Sequence, residues 1–248
     1  MHAHDPPVDR DVEPPEALLD DSVQPCPYLP GELARLPLRL PLGGLSRLNL
    51  EQRLAEGDRR HGLVLYRPSC PSCQACEAIR VDVRAFEPSR SQRRAWARCR
   101  SMLSVERGPV GVDAERVDLY RKHERERGLA MEGTGEMTLQ RYQAFLGESC
   151  TESFELRLHL DGRLVAFSVI DRAEDALSAV YCVWDPSLPR LSLGTSSILA
   201  EVALCRQLGL RWLYLGLLVE GHAHLGYKAN FLPHERLIEG RWKRFERS

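Results

Sequence analysis

Between Phe154 and Val219 the chain writes one fixed order of elements. Two alternating runs flank Asp161-Gly162, a third run follows, and then come a glycine-bearing turn, a helix and a last apolar run. Phe154 to Leu160 and Arg163 to Asp171 are the flanking runs, and Asp-Gly between such runs predicts a tight antiparallel hairpin. Ala176 to Trp184 makes the third strand. Ile198 to Gln207 reads as a helix stopped by Gly209, and Trp212 to Val219 as the closing strand. No internal repeat interrupts this order.

The order resembles that of acyltransferases of the acetyltransferase-like class, in which the first helix after the central strands receives the donor. The expected fold class is therefore α+β: an acetyltransferase-like mixed sheet with helices, preceded by a cysteine-bearing α/β N-terminal region. Helix amino termini present unpaired N–H groups and a partial positive charge, so they suit phosphate. Ser192-Leu-Gly-Thr-Ser-Ser197 stands where that terminus should be. Gly194 permits close backbone approach, and Thr195, Ser196 and Ser197 add hydroxyl donors. An ordinary capped helix start is the plainer alternative.

Upstream, residues 1–24 are rich in Pro and Asp and poor in apolar side chains, which predicts a disordered acidic tail. Seven acids in the first 25 residues face Arg10 alone, so the rest of a chain of net charge −1 is mildly basic. Residues 25–108 are expected to form the N-terminal cysteine-bearing region, and 109–248 the transfer domain. Leu45 to Gly57 reads as a helix, His61 to Arg67 as a strand, and Ile79 to Phe86 alternates as a half-exposed strand. Asp113 to Arg127 is a further helix ended by Gly128, and Thr138 caps another.

Cys70, Cys73 and Cys76 are spaced so that thiolates on one tight loop converge on a single metal or cluster. Closed structural sites usually have four ligands, and Cys26, in Cys26-Pro-Tyr-Leu-Pro-Gly31, is the fourth candidate. All-thiolate ligation fits zinc or an iron–sulfur cluster alike. Three buried thiols on a turn is the bland alternative. Cys99, Cys150, Cys182 and Cys205 are expected as small core hydrophobes.

Ser89-Arg-Ser-Gln-Arg-Arg94 opens a helix that runs to Arg100 and interleaves hydroxyl, amide and guanidinium groups. Such fork-shaped donors match phosphates, and chains of phosphates more than single anions. Farther on, a loop after the last strand holds Glu220, His222, His224, Tyr227 and Lys228. Titratable groups beyond a buried strand end are where a substrate amine could be held and deprotonated. Asp185, at the end of the third strand, could orient a cationic amine or simply close a turn before Pro186.

The chain starts without a basic, then apolar, leader, and no run approaches the ~20 apolar residues that span a bilayer. Eight cysteines in 248 residues are too sparse for a disulfide scaffold. A reducing cytoplasm is the expected compartment, with no membrane partner.

Together these residues resemble the arginyl/leucyl-tRNA–protein transferase family. The likeness is carried by Cys26-Pro-Tyr-Leu-Pro-Gly31, Tyr66-Arg-Pro with Cys70, Cys73 and Cys76, and Ser89-Arg-Ser-Gln-Arg-Arg94. It continues through Leu177-Ser-Ala-Val-Tyr181, Asp185-Pro186, Ser192-Leu-Gly-Thr195, Tyr214-Leu-Gly216 and Gly226-Tyr-Lys-Ala229. The short form resembles the bacterial branch, which adds leucine to proteins beginning with Asp or Glu; the longer branch adds arginine. The resemblance implies aminoacyl-tRNA and such proteins as partners, and no cofactor for the transfer itself. Carried over residue by residue, Arg90, Gln92, Arg93 and Arg94 would hold acceptor-stem phosphates, and Ser192, Gly194 and Thr195 would face the terminal adenosine. Arg67 or Arg80 would meet the acceptor's acidic side chain, and Asp185, Glu220, Tyr227 and Lys228 would line the transfer site. Leu217, Leu218 and His224-Leu225 depart from the family's usual residues, which bears on the amino acid transferred. The rival readings are an acyl-CoA-dependent N-acetyltransferase and a non-catalytic, metal-dependent RNA-binding or redox-sensing module.

Overall fold

A computed structural model describes residues 6–129 and 135–247. Five short strands come first: β1 (Val8–Asp9), β2 (Glu16–Asp20), β3 (Val23–Pro25), β4 (Leu33–Arg35) and β5 (Leu38–Pro41). Helix α1 (Arg47–Ala55) leads to β6 (Arg59–His61), β7 (Val64–Tyr66) and β8 (Glu77–Asp82), and α2 (Arg90–Met102) leads to β9 (Leu103–Gly108). After α3 (Ala114–Arg127) and α4 (Leu139–Tyr142) come β10 (Ser153–Leu160), β11 (Arg163–Arg172) and β12 (Ala176–Trp184). Helix α5 (Leu193–Gln207) crosses to β13 (Trp212–Leu218), and β14 (His234–Ile238) and β15 (Arg241–Phe245) follow.

Local chemistry explains the breaks. Asp161 and Gly162, the two central residues of the β10–β11 turn, have φ of 50° and 80°, the backbone that short Asp-Gly hairpins require. Ser89 caps α2 by accepting from the Gln92 N–H, while the Gln92 side chain takes the Ser89 N–H in return. Asp113 caps α3, and Gly128 ends it in the left-handed region. The strand expected over His61 to Arg67 is a hairpin instead, because Gly62, at φ 57°, turns β6 back onto β7.

The main sheet has eight strands in the order β15-β14-β8-β13-β12-β11-β10-β9. Only the β12–β13 pair is parallel, which makes this the expected acetyltransferase-like mixed sheet. A second sheet runs β1-β2-β5-β7-β6, and β3 pairs with β4 alone. Alternation along the strands assigns the layers. Leu213 and Leu215 join Ile198, Leu199 and Val202 of α5 on one face. Trp212 and Tyr214 pack with Leu50 and Leu54 of α1 on the other, where Tyr181 and Val183 meet Val117 and Tyr120 of α3.

Two expectations need correction. Residues 1–5 lie outside the described residues, but the rest of the expected acidic tail is not a solvated coil. β2 lies in the second sheet, and the buried Glu16 carboxylate pairs with Arg39 at 2.9 Å and with Arg53 at 3.0 Å. Its acids are partners for later arginines, a relation that local composition does not reveal. The division at residue 108 is also not a seam, since β8 lies between β14 and β13 and β9 forms the far edge of the same sheet.

Candidate active site

β12 and β13 pair for three residues only, Ala176, Leu177 and Ser178 against Trp212, Leu213 and Tyr214. Beyond that the two carboxyl halves part. The cause is local: β13 slips its register against β8 between Tyr214 and Gly216, and Gly216 takes φ 86°. The parting leaves backbone carbonyls without ladder partners at the carboxyl end of a β–α–β crossover, the place where open sheets take ligands.

Two cationic side chains enter this opening. Arg59 of β6 donates to the Ala179 carbonyl at 2.8 Å and to the Ser178 hydroxyl at 3.3 Å. Lys228, on a short 3-10 turn over Gly226–Asn230, donates from Nζ to the Leu217 carbonyl at 2.7 Å. Gly216 makes room, because a Cβ there would lie 3.1 Å from the Arg59 guanidinium. Burial, and then the neighbouring Arg59 charge, lowers the Lys228 pKa to about 7. A Lys that is part neutral at physiological pH can accept a proton.

Trp184 organises the rim. Its indole is 4.1 Å from the His123 ring, 4.4 Å from the Arg127 guanidinium, and 3.3 Å from where a Cβ on Gly194 would stand. Gly194 therefore lets the first turn of α5 sit on the indole. Ser192, at φ 49°, precedes that helix without a side-chain cap, so no side chain takes up its first N–H groups. Arg127 also donates to Nδ1 of His224 at 2.9 Å, which keeps that imidazole neutral. His222 stands edge-on to Tyr28 at 5.8 Å.

Behind the opening lies a buried polar group that no sequence motif marks. Glu201 of α5 is fully buried, and among the described residues neither carboxylate oxygen has a hydrogen-bond partner. The Ser168 and Ser197 hydroxyls are likewise buried without partners. Burial pushes Glu201 up to about 7 and Cys182, beside it, up to about 12. The one available signal was a Glu in the middle of an otherwise apolar helix.

Cys26, Cys70, Cys73 and Cys76 line one cavity of about 370 Å³, together with Arg67 and Glu77. The Tyr28 and Leu29 N–H groups point at the Cys26 sulfur from 3.5 and 3.4 Å. Burial, and then the other three cysteines, push the Cys76 thiol up to about 12. The four cysteines thus border one cavity, although among the described residues no three ligands are already set for an ion.

Other expected site residues are occupied elsewhere. Asp185 is buried at the end of β12, taking Lys122 at 2.6 Å and Arg163 at 3.0 Å as well as the Ser187 hydroxyl and N–H. Burial alone would raise its pKa, but these donors outweigh it and hold it at about 2. It clamps β12 to α3 and β11. Glu220 is solvent-exposed, with Arg236 4.0 Å away. Tyr227 is half-buried against the α5 side of the core. Arg80 lies between the Trp212 and Trp242 rings at 3.9 and 4.1 Å and bonds Glu235 and Tyr214. Arg67 is engaged by Asp58 and Glu56. On α2, Arg90, Arg93 and Arg94 are exposed on one basic face, whereas Gln92 is buried and holds the Asn230 carbonyl at 3.2 Å.

Comparison with known proteins decides the family. The profile "Arginine-tRNA-protein transferase, N terminus" matches residues 24–94, and "Arginine-tRNA-protein transferase, C terminus" matches residues 115–238. The chain belongs to the arginine-tRNA-protein transferase family. It is 38% identical over 219 residues to an aspartate/glutamate leucyltransferase of Chromobacterium violaceum, covering 88% of this chain and 90% of that protein. An enzyme of the same name from Ruegeria pomeroyi is 40% identical over 225 residues, covering 89% and 81%. Among solved structures, the C-terminal domain of a putative lysylphosphatidylglycerol synthetase from Agrobacterium fabrum shares the fold. Its TM-score is 0.50 at 16% identity, over 69% of this chain and 59% of that one.

The chain is thus an aminoacyltransferase, and Glu201 lies within the residues that the C-terminus profile matches. A carboxyl raised by burial binds its proton more tightly in the folded state, so stability should fall as pH rises from about 4.5 to about 7 and then level off. Glu201→Gln should remove that slope. Thermal melting of both proteins across this window checks it, and parallel curves would show that Glu201 ionises freely.

Proposed function

We propose that this aminoacyltransferase moves a leucyl group from leucyl-tRNA to the α-amine of proteins that begin with Asp or Glu, marking them for degradation in the cytoplasm. The observation that carries this reading is the parting of β12 and β13, with Lys228 and Arg59 inside it, in a chain of this family. An aminoacyl ester is already activated, so no side-chain nucleophile is required. Positioning and proton transfer are what the protein must supply. The acceptor amine attacks the ester carbonyl, the carbonyl–oxygen bond breaks, and the terminal ribose leaves as an alcohol. Lys228 takes the proton that the amine loses and returns one to the ribose oxygen. The open first turn of α5, with Ser192, Gly194 and Thr195, supports binding of the terminal adenosine. The exposed Arg90, Arg93 and Arg94 suit the acceptor-stem phosphates. Tyr227 lines the apolar side.

The same reading gives the four cysteines a structural centre, zinc or an iron–sulfur cluster. Four thiols in one cavity, two N–H groups aimed at the Cys26 sulfur, and a thiol held neutral by burial and then by its neighbours suit a cation that stabilises thiolates. Cys26, Cys70, Cys73 and Cys76 would hold it, and it would tie the loop before β8 to the loop before β4.

Three outcomes are expected. Radiolabelled leucyl-tRNA should label peptides beginning with Asp or Glu and spare those beginning with Ala. Label from arginyl-tRNA alone would overturn the donor, and label from neither tRNA the whole reading. The wild-type turnover rate should rise with pH through about 7, as Lys228 loses its proton. Lys228→Met should cost roughly 100-fold and flatten that profile, and an unchanged profile would remove Lys228 from proton transfer. Protein purified anaerobically should carry zinc or iron with sulfide, and Cys73→Ser should lose both the metal and several degrees of melting temperature. Equal metal in the two proteins would overturn the cysteine site.

A further inference from the structure

The arginines of the N-terminal region divide unevenly. Arg35, Arg39, Arg47, Arg53, Arg60, Arg67 and Arg80 each lie within salt-bridge distance of a carboxylate. Arg59 is the exception among the buried ones: it is 6% exposed, yet among the described residues no carboxylate lies within 4.0 Å of it. Its neighbour in the chain shows what a structural arginine looks like here, since Arg60 grips the buried Asp171 with two bonds of 2.8 and 2.9 Å. A buried guanidinium without a counter-charge is costly, and it persists where something else repays it.

The backbone carbonyl of Ala179 and the Ser178 hydroxyl take N–H groups from Arg59, but neither neutralises its charge. Lys228 adds a second cationic head at the next residue of β13, because its Nζ bonds the carbonyl of Leu217 while Arg59 packs on Gly216. Two basic groups therefore share one buried opening, and among the described residues neither has a carboxylate within 4.0 Å. Their remaining N–H groups point to an anion of planar, two-oxygen geometry, which a guanidinium grips from two sides.

Resting on the transferase reading above, we propose that Arg59 receives the side-chain carboxylate of the acceptor's N-terminal Asp or Glu. The assignment replaces Arg67 and Arg80, whose guanidinium groups are already engaged. It also ties specificity to catalysis. The acidic side chain and the α-amine belong to the same terminal residue, so a carboxylate on Arg59 leaves the amine beside Lys228. An acceptor with Asn in place of Asp keeps its shape but forfeits the ion pair, and the buried guanidinium stays unpaired.

The test compares peptides that begin with Asp and with Asn, otherwise identical, using wild type, Arg59→Gln and Arg59→Lys with radiolabelled leucyl-tRNA. Wild type should favour Asp over Asn by roughly 100-fold or more in kcat/KM. Arg59→Gln should raise KM for the Asp peptide and bring the ratio close to unity, while leucyl-tRNA binding measured by filter retention stays as in wild type. Arg59→Lys keeps a charge without the fork and should give an intermediate ratio, which serves the test where Arg59→Gln does not fold. A variant that slows both peptides equally with the ratio intact would overturn the proposal and leave Arg59 a support for the strand opening. Wild type that labels neither peptide would instead bring down the transferase reading, and this proposal with it.

Discussion

Everything at the centre of this molecule depends on a parallel pairing that lasts only three residues. Where β12 and β13 separate, each strand leaves carbonyl oxygens that a sheet would normally satisfy. Arg59 takes one from one side and Lys228 takes one from the other. Two long basic side chains thus stand in for strand–strand hydrogen bonds. That arrangement opens a cleft without orphaning backbone, and it fills the cleft with positive charge. The glycine at position 216 is what allows it, since its left-handed backbone makes the bulge and its missing Cβ admits the guanidinium.

Around the cleft the division of labour follows the layers. The N-terminal sheet delivers Arg59 and Tyr66, and the loop before β4 brings Tyr28. From the other, α5 brings its open first turn and the buried Glu201. Trp184 joins the two sides, touching His123 and Arg127 of α3 while seating Gly194 of α5. The two halves matched by the family profiles are therefore one structural unit at this point. Removing β8 from the main sheet would strand β14 and β15, and removing β6 would empty the cleft of its guanidinium.

The fit between family and geometry lies in what the reaction needs. A charged tRNA brings its own activation, so the protein supplies a place to put two amines, a proton carrier of suitable basicity and a counter-charge for the acceptor. Lys228 has a lowered pKa because it is buried and lies beside another cation, which is the basicity the proposed role would need. Asp185 lacks any such freedom. Its donors keep it ionised and pinned, and the cation it holds is Lys122 rather than a substrate amine.

By itself the sequence determined the local grammar of this protein. The Asp-Gly hairpin, the capped α2 and α3, the helix after Ser192, and the mixed sheet that their order implies all follow from turn chemistry, caps and periodicity. Those are interactions between residues close in the chain. Lys228 and the run of Cys70, Cys73 and Cys76 could also be singled out, because each stands in a contiguous motif. What only the tertiary structure decided was which charges are spent. Arg67, Arg80, Asp185 and Gln92 look free in one dimension and are engaged by Asp58, Glu235, Lys122 and Asn230 in three. Arg59 looked like one arginine in an Arg-Arg pair, yet it alone is left buried without an acid among the described residues. Ion pairing is settled between residues that may be more than a hundred positions apart, as Arg60 and Asp171 are, so no local pattern can assign it.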